Sequence, residues 1–459
     1  MALASWPDNL PYRPNGDGWA NDLGIAPMAG DVDGPAAQQR SRPGGDIETI
    51  TWSRAISRAE FATLRAFVVG TLRHGAARFW MPVTLDRATY GIRTVQIVSG
   101  SFTSTGINNA QVRVTMSLTV YPPSWVPPVP VVVGLGSTVT GTAPAGASVE
   151  LRVGATLIVG TANAGGAWSI ALPYMEGGTY IVQARIGDGP WSLPQSLTLA
   201  AHVFATETLA LFARMTVQPA GPIKLLMDTL VRAVIAAGAW PKMDMFYVIA
   251  AHDAQAARLN WIADQYNLTA VNSPVFTAFR GYTGNGTSSY LTMGAVPAAL
   301  HASAGARFKR DSAHLSAWSL TSVPSGQVIM GARTSATSFC DIFPRESGRT
   351  RFRPNGPVPP TTHFDTPNAA GLFLGNRTSS TVVEGYQDGA LVGTLTGYAS
   401  TTPTANGLYL LAQNGDGVAG AFCATQVAMA SVGAALTPTE AAALHSAVRA
   451  YLVGVGAVA

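Results

Sequence analysis

Charge is scarce in this chain of 459 residues: Asp, Glu, Lys and Arg make up 12% of it, against about 25% in ordinary soluble domains. That scarcity excludes a disordered chain held open by its own charge, which needs low hydrophobicity and high net charge. Lysine is almost absent, occurring only as Lys224, Lys242 and Lys309. The arginines form no cluster, so the net charge of +4 does not build the basic stripe of a nucleic-acid binder. Cysteine occurs twice, as Cys340 and Cys423. This excludes a disulfide framework and a Cys-rich zinc site, and two buried free thiols are expected in preference to a pair. Long apolar runs are missing as well. Uncharged stretches such as Val114–Val149 are broken by Pro and Gly, and none gives the roughly 20 continuous apolar residues that insertion into a membrane requires. The opening residues lack the basic region and apolar stretch of a signal peptide.

Turn formers are plentiful, with 48 Gly and 30 Pro. Many turns imply many short strands, and the length implies several domains. The expected class is mainly β and multi-domain. Residues 1–124 read as strands, one helix, then strands. Ile47–Ser53 alternates apolar and polar residues. Ser57 and Glu60 then form a capping-box pattern, followed at helical spacing by Phe61, Leu64, Val68 and Leu72. Phe79–Pro82, Thr94–Ser99 and Asn109–Tyr121 return to strand character. Residues 125–130 continue a segment, Tyr121–Pro130, that contains five prolines. Proline favours extended backbone and cannot continue a ladder, so this is a stiff linker. Residues 131–200 carry short strands separated by Gly-rich turns, the pattern of a small β-sandwich packed around Trp168. Residues 201–240 suggest a helical connector, with Pro222 in its first turn and Gly238 at its end. A second helix is expected over Asp253–Ile262. Residues 241–459 read as a large β-sandwich. Its signals include the Asp388-Gly389 hairpin and a closing helix with Thr437 and Glu440 as capping box.

Two stretches resemble known families. Trp6-Pro7 and Leu10-Pro11, Asp33-Gly34-Pro35-Ala36 leading to Arg40 and Arg42, Ser57–Phe67, and Gly75-Ala76 before Phe79 resemble small virion proteins of tailed phages. Residues 227–230, 250–261, 272–277 and 280–286 resemble the C-terminal part of phage tail and tail-fibre proteins. Tyr386–Gly389, Leu408–Gly420 and Leu436–Leu452 are similar to the laminin-G/concanavalin-like jelly roll. The middle unit is similar to immunoglobulin-like modules of phage structural proteins. The resemblance implies a tail structural protein in the virion. Its N-terminal domain would anchor to other tail proteins, and its C-terminal jelly roll would present a lectin-like surface to host polysaccharide. It also implies a homo-oligomer around the tail axis, trimer or hexamer, with no nucleic acid and no membrane insertion. Binding rather than catalysis is expected, without a cofactor. The alternatives are a polysaccharide depolymerase on the tail and a secreted lectin outside any virion.

Individual residues give few sharp signals for chemistry. His252-Asp253 has the form of an acid–base pair, but Asp253 suits a helix N-cap. His74, His202, His301, His314, His363 and His445 show no i, i+4 spacing for a helical zinc site. Glu346, Glu384 and Glu440 do not form the clustered strand carboxylates of jelly-roll glycosidases, although they could converge in space. Gly281–Gly286 reads as a turn. Asn414–Gly417 offers oxygens suited to calcium, but reads first as a hairpin turn. Trp318, Trp261 and Tyr282 are candidates for stacking on sugars, with burial favoured for Trp318. No catalytic, cofactor-binding or metal-binding residue is assigned, and the glycan-binding residues are unknown.

Overall fold

The computed structural model describes residues 3–16, 18–22, 28–29, 39–40, 47–86, 88–335, 337–346, 348–358 and 363–459. Asp33–Ala36 and Arg42 of the phage-like motif fall outside them. The chain forms two compact units, residues 1–202 and 203–459, and strands dominate both.

The first unit holds two β assemblies with separate cores. A seven-stranded sheet is built around Gln111–Val120, which pairs along its full length with Glu48–Ser57. Strict alternation puts Val112, Val114, Met116, Leu118 and Val120 on one buried face, as a period of two requires. The helix Arg58–Ala66 lies over that face. Ser57 Oγ accepts from Glu60 N, and the Glu60 carboxylate accepts from Ser57 N at 2.7 Å. Such a cap contributes about 1 kcal/mol. The helix buries Leu64, and the π-turn Phe67–Thr71 that follows it buries Phe67 and Val68. The small β-sandwich has a three-stranded sheet (Val131–Gly134, Thr138–Thr142, Ala167–Ala171) and a four-stranded one (Thr156–Thr161, Ser148–Val153, Gly178–Ile186, Gln195–Leu199). Trp168 is buried in its core with Val139, Leu151 and Val182, where packing stands in for a disulfide.

The second unit is a sandwich of two eight-stranded sheets. The back sheet is centred on Gln426–Gly433. This strand pairs with Ala313–Ser319 on one side and, end to end, with Met243–Val248 and Gly281–Thr283 on the other. The front sheet contains Met330–Thr334, Ser338–Glu346 and Arg349–Gly356. The segment expected as a connector, residues 201–240, builds from residue 203 onward into this unit, and Leu211, Met227, Leu230, Val231 and Val234 join its core. Their main helix, Gly221–Ala236, packs against the last helix, Pro438–Gly454. That last helix starts at the expected capping box of Thr437 and Glu440.

The helix expected over Asp253–Ile262 shrinks to one 3₁₀ turn, Ala256–Arg258. Asn260 explains the difference. Its side chain accepts from Phe246 N and donates to Asp244 O and Gln265 O. The chain is thereby tied across to a strand, and a helix there would break all three bonds.

Candidate functional site

A groove of about 450 Å³ opens on the outer side of the back sheet, beside the last helix. The strand Ala313–Ser319 turns Trp318 toward that helix. His445 and Arg449, four residues apart, both line the groove, as the helical repeat allows. The His445 imidazole lies flat on Trp318, with ring centroids 5.2 Å apart and planes 6° apart. The third wall comes from the hairpin turn Asp388-Gly389. Both residues take positive φ, 51° and 80°, as a type I′ turn demands. Asp388 Oδ1 accepts from Leu372 N at 2.8 Å and stands 3.9 Å from His445 Nε2.

Two glycines make this closeness possible. A side chain on Gly371, whose φ is +106°, would run into the Asp388 carboxylate. One on Gly389 would come within 3.0 Å of His445 Cβ. The rim at Asn368–Ala370 is held by Gln387 Nε2, which donates to Asn368 O at 2.8 Å and Ala370 O at 3.1 Å.

The polar groups left open in the groove are of both kinds. Trp318 Nε1–H, the Ser322 hydroxyl and the Asn368 side-chain amide have no protein partner among the described residues. Arg449 spends one Nη on Ala459 O at 2.8 Å. Burial lowers the His445 pKa; the Asp388 carboxylate opposes that shift and Arg449 adds to it. The site therefore offers donors, an acceptor carboxylate and an indole edge, with opposite fixed charges on Asp388 and Arg449.

The expected candidates distribute as follows. Trp318 is nearly buried, at 4% exposure, yet lines the groove. Trp261 is core, edge-on to Phe246 and Tyr451. Tyr282 is buried, and its hydroxyl donates to Ala254 O. Asp253 accepts from Gln255 N and Ala256 N, while His252 Nε2 lies 2.8 Å from Val217 O. They act as a turn cap and its neighbour. Glu346 pairs with Arg351 and His363. Glu384 accepts from Asn376 and the Tyr386 hydroxyl. Glu440 caps its helix and binds Lys242. These three glutamates thus serve different partners. In Gly281–Gly286, residues 281–283 form a strand, and Asn285 Oδ1 accepts the amides of Thr287, Ser288 and Ser289 in a turn. In Asn414–Gly417, Asp416 binds Ser335 N and Arg333, and Asn414 Oδ1 accepts Gly417 N. Cys340 and Cys423 are free and buried. His314 is fully buried, and burial pushes its pKa down to about 4. His301 Nδ1 accepts from Arg310 N. No three His, Cys, Asp or Glu converge for a metal ion among the described residues. No helix of the described residues is long and apolar enough to cross a membrane.

No protein-family model matches the chain, and no curated protein matches it. It is similar to several solved structures. One is domain 4 of AbnA, a GH43 extracellular arabinanase from Geobacillus stearothermophilus, solved with arabinotriose. The identity is 13% over 44% of this chain and 98% of that one, with a TM-score of 0.33. Another is the Trypanosoma rangeli sialidase, at 10% identity over 87% and 77% of the two chains and a TM-score of 0.30. NanB is a third, at 14% identity over 28% and 23%, with a TM-score of 0.22. The expectation that the chain is no enzyme is corrected here, because an arabinanase and a sialidase stand among the proteins it is similar to. No activity follows for this chain from likenesses of 13% and 10% identity.

Proposed function

We propose that the protein recognises carbohydrate, through the groove formed by Trp318, His445, Asp388 and Arg449. One observation carries the reading: open donors and an acceptor carboxylate converge with an aromatic edge in a groove of about 450 Å³. Sugar hydroxyls both donate and accept, so a saccharide edge satisfies such a mixed set, and pockets of this volume suit small ligands. On this reading the first unit attaches the chain to a phage tail, and the second presents the groove to host polysaccharide. The support for the tail is the sequence resemblance of Ser57–Phe67 and its neighbours to tailed-phage virion proteins. Copies around a tail axis would add avidity without new contacts.

The test is a glycan array probed with the full chain, wild type and Asp388→Asn. Wild-type binding that the variant loses supports the groove. No binding, or equal binding by both, overturns it. Incubating bound polysaccharides with the protein and measuring new reducing ends decides between recognition and depolymerisation. Gold-labelled antibody against residues 241–459 on purified virions tests the tail location. Unlabelled virions, with the protein free in the culture fluid, would leave a secreted carbohydrate-binding protein.

A further inference from the structure

The groove carries two fixed charges of opposite sign, Asp388 on the hairpin turn and Arg449 on the last helix. His445 lines the groove with both. Its Nε2 stands 3.9 Å from Asp388 Oδ1, and Arg449 follows one helical turn later. The strand packed against it contributes Trp318, which is uncharged and stacked flat on the imidazole. Asp388 and Arg449 are therefore the charged groups that face His445 from the elements around it.

We propose that His445 sets the charge class of saccharide the groove accepts, favouring neutral oligosaccharides while its ring is neutral and admitting carboxylate-bearing ones once it is protonated. The inference rests on the carbohydrate reading of this groove. With a neutral ring, Asp388 and Arg449 cancel. An anionic sugar then gains nothing overall, because Asp388 repels what Arg449 attracts. A proton on His445 adds one positive charge. It strengthens the pairing with Asp388 and turns the stack on Trp318 into a cation–π contact. The Asp388 charge is then answered from within the protein, and Arg449 is left to hold a carboxylate. Burial and Arg449 disfavour the protonated ring, so the change belongs to mild acid rather than neutral pH.

The test is calorimetric titration of the full chain at pH 7.5 and pH 5.0 with two probes, a galactose tetramer and a galacturonic acid tetramer. A half-exposed ion pair changes affinity by up to about fivefold. The galacturonic acid probe is expected to tighten by about that factor at the lower pH, while the galactose probe does not. His445→Phe keeps a flat ring on Trp318 and removes the titration. Its ratio of affinities between the two pH values is expected to collapse to one, and thermal melting shows that the variant is folded. A wild-type ratio of one for the acidic probe, or the same ratio in His445→Phe, overturns the inference and leaves the groove reading intact. Failure of both probes to bind at either pH overturns the groove reading and this inference together.

Discussion

Arg353 lies alongside Asp341 on the front sheet of the second unit, its Nε donating to Oδ1 at 2.8 Å and its second nitrogen to Oδ2. The two face each other in register on neighbouring strands, and both are withdrawn from solvent. Gln413 Nε2 donates to the same carboxylate at 2.6 Å. The Phe339 ring sits 3.6 Å from the guanidinium carbon. Removing one partner leaves the other charge buried and unpaired, which typically costs about 3–5 kcal/mol. Asp341→Ala is therefore expected to lower the stability of the second unit by that order, read from chemical denaturation. The double variant Asp341→Leu with Arg353→Met is expected to recover most of the loss. Equal losses in the single and double variants would show that packing, not the unpaired charge, sets the cost.

That pair also explains what the sequence hides. Arg349–Gly356 carries arginine at alternate positions 349, 351 and 353, and Ser338–Glu346 carries Asp341, Arg345 and Glu346, which together look like a solvated edge. Their burial depends on Asp341 meeting Arg353 across the ladder, a pairing that no local pattern displays. Features that depend on neighbouring residues were readable: both capping boxes, the helix after Gly221, the strict alternation of Gln111–Val120 and the Asp388-Gly389 turn. The groove was readable only in parts. The sequence displays Trp318 and the turn singly, and His445 as one of several scattered histidines. Their meeting depends on the last helix returning over the back sheet, which is a tertiary fact.

His314 should make the protein acid-sensitive. Its ring is fully buried, with Nδ1 2.6 Å from Ala434 O and Nε2 3.0 Å from Ser431 Oγ. Burial holds its pKa at about 4, against 6.5 for a free imidazole. Above pH 6.5 both folded and unfolded chains are neutral there, and the group contributes nothing to the pH dependence. As pH falls below 6.5 the unfolded chain takes up a proton that the folded chain refuses, so stability drops. The drop levels off near pH 4 and amounts to about 3 kcal/mol. Denaturation midpoints of wild type and His314→Gln, compared from pH 7.5 to pH 4.5, check this. The gap between them should narrow toward acid. A constant gap would rule out the histidine as the cause.

The two thiols should be chemically silent while the protein is folded. Burial pushes the Cys423 pKa up to about 12 and that of Cys340 higher still. Since only the thiolate reacts, a thiol reagent at pH 8 is expected to modify neither until denaturant is added, and then both. Labelling of Cys340 at the rate of an exposed thiol would mean that the front sheet opens under native conditions.

Gly371 joins the groove's shape to its stability. Its φ of +106° is one that side chains rarely adopt, and a Cβ there would meet the Asp388 carboxylate. Gly397 also has positive φ, +72°, but a Cβ there would meet open space. Gly397→Ala carries backbone strain alone, about 1–2 kcal/mol. Gly371→Ala lies further outside the left-handed well, carries at least that strain, and also pushes Asp388 away from Leu372 N, the contact that fixes the turn. Its loss of stability is therefore expected to exceed that of Gly397→Ala by at least about 1 kcal/mol, the net worth of one hydrogen bond. Only Gly371→Ala should also weaken saccharide binding, because only there is the carboxylate displaced from the groove. Paired melting curves and binding isotherms for the two variants separate the effects. Equal binding losses in both would mean that general loosening of the unit, rather than the position of Asp388, governs recognition.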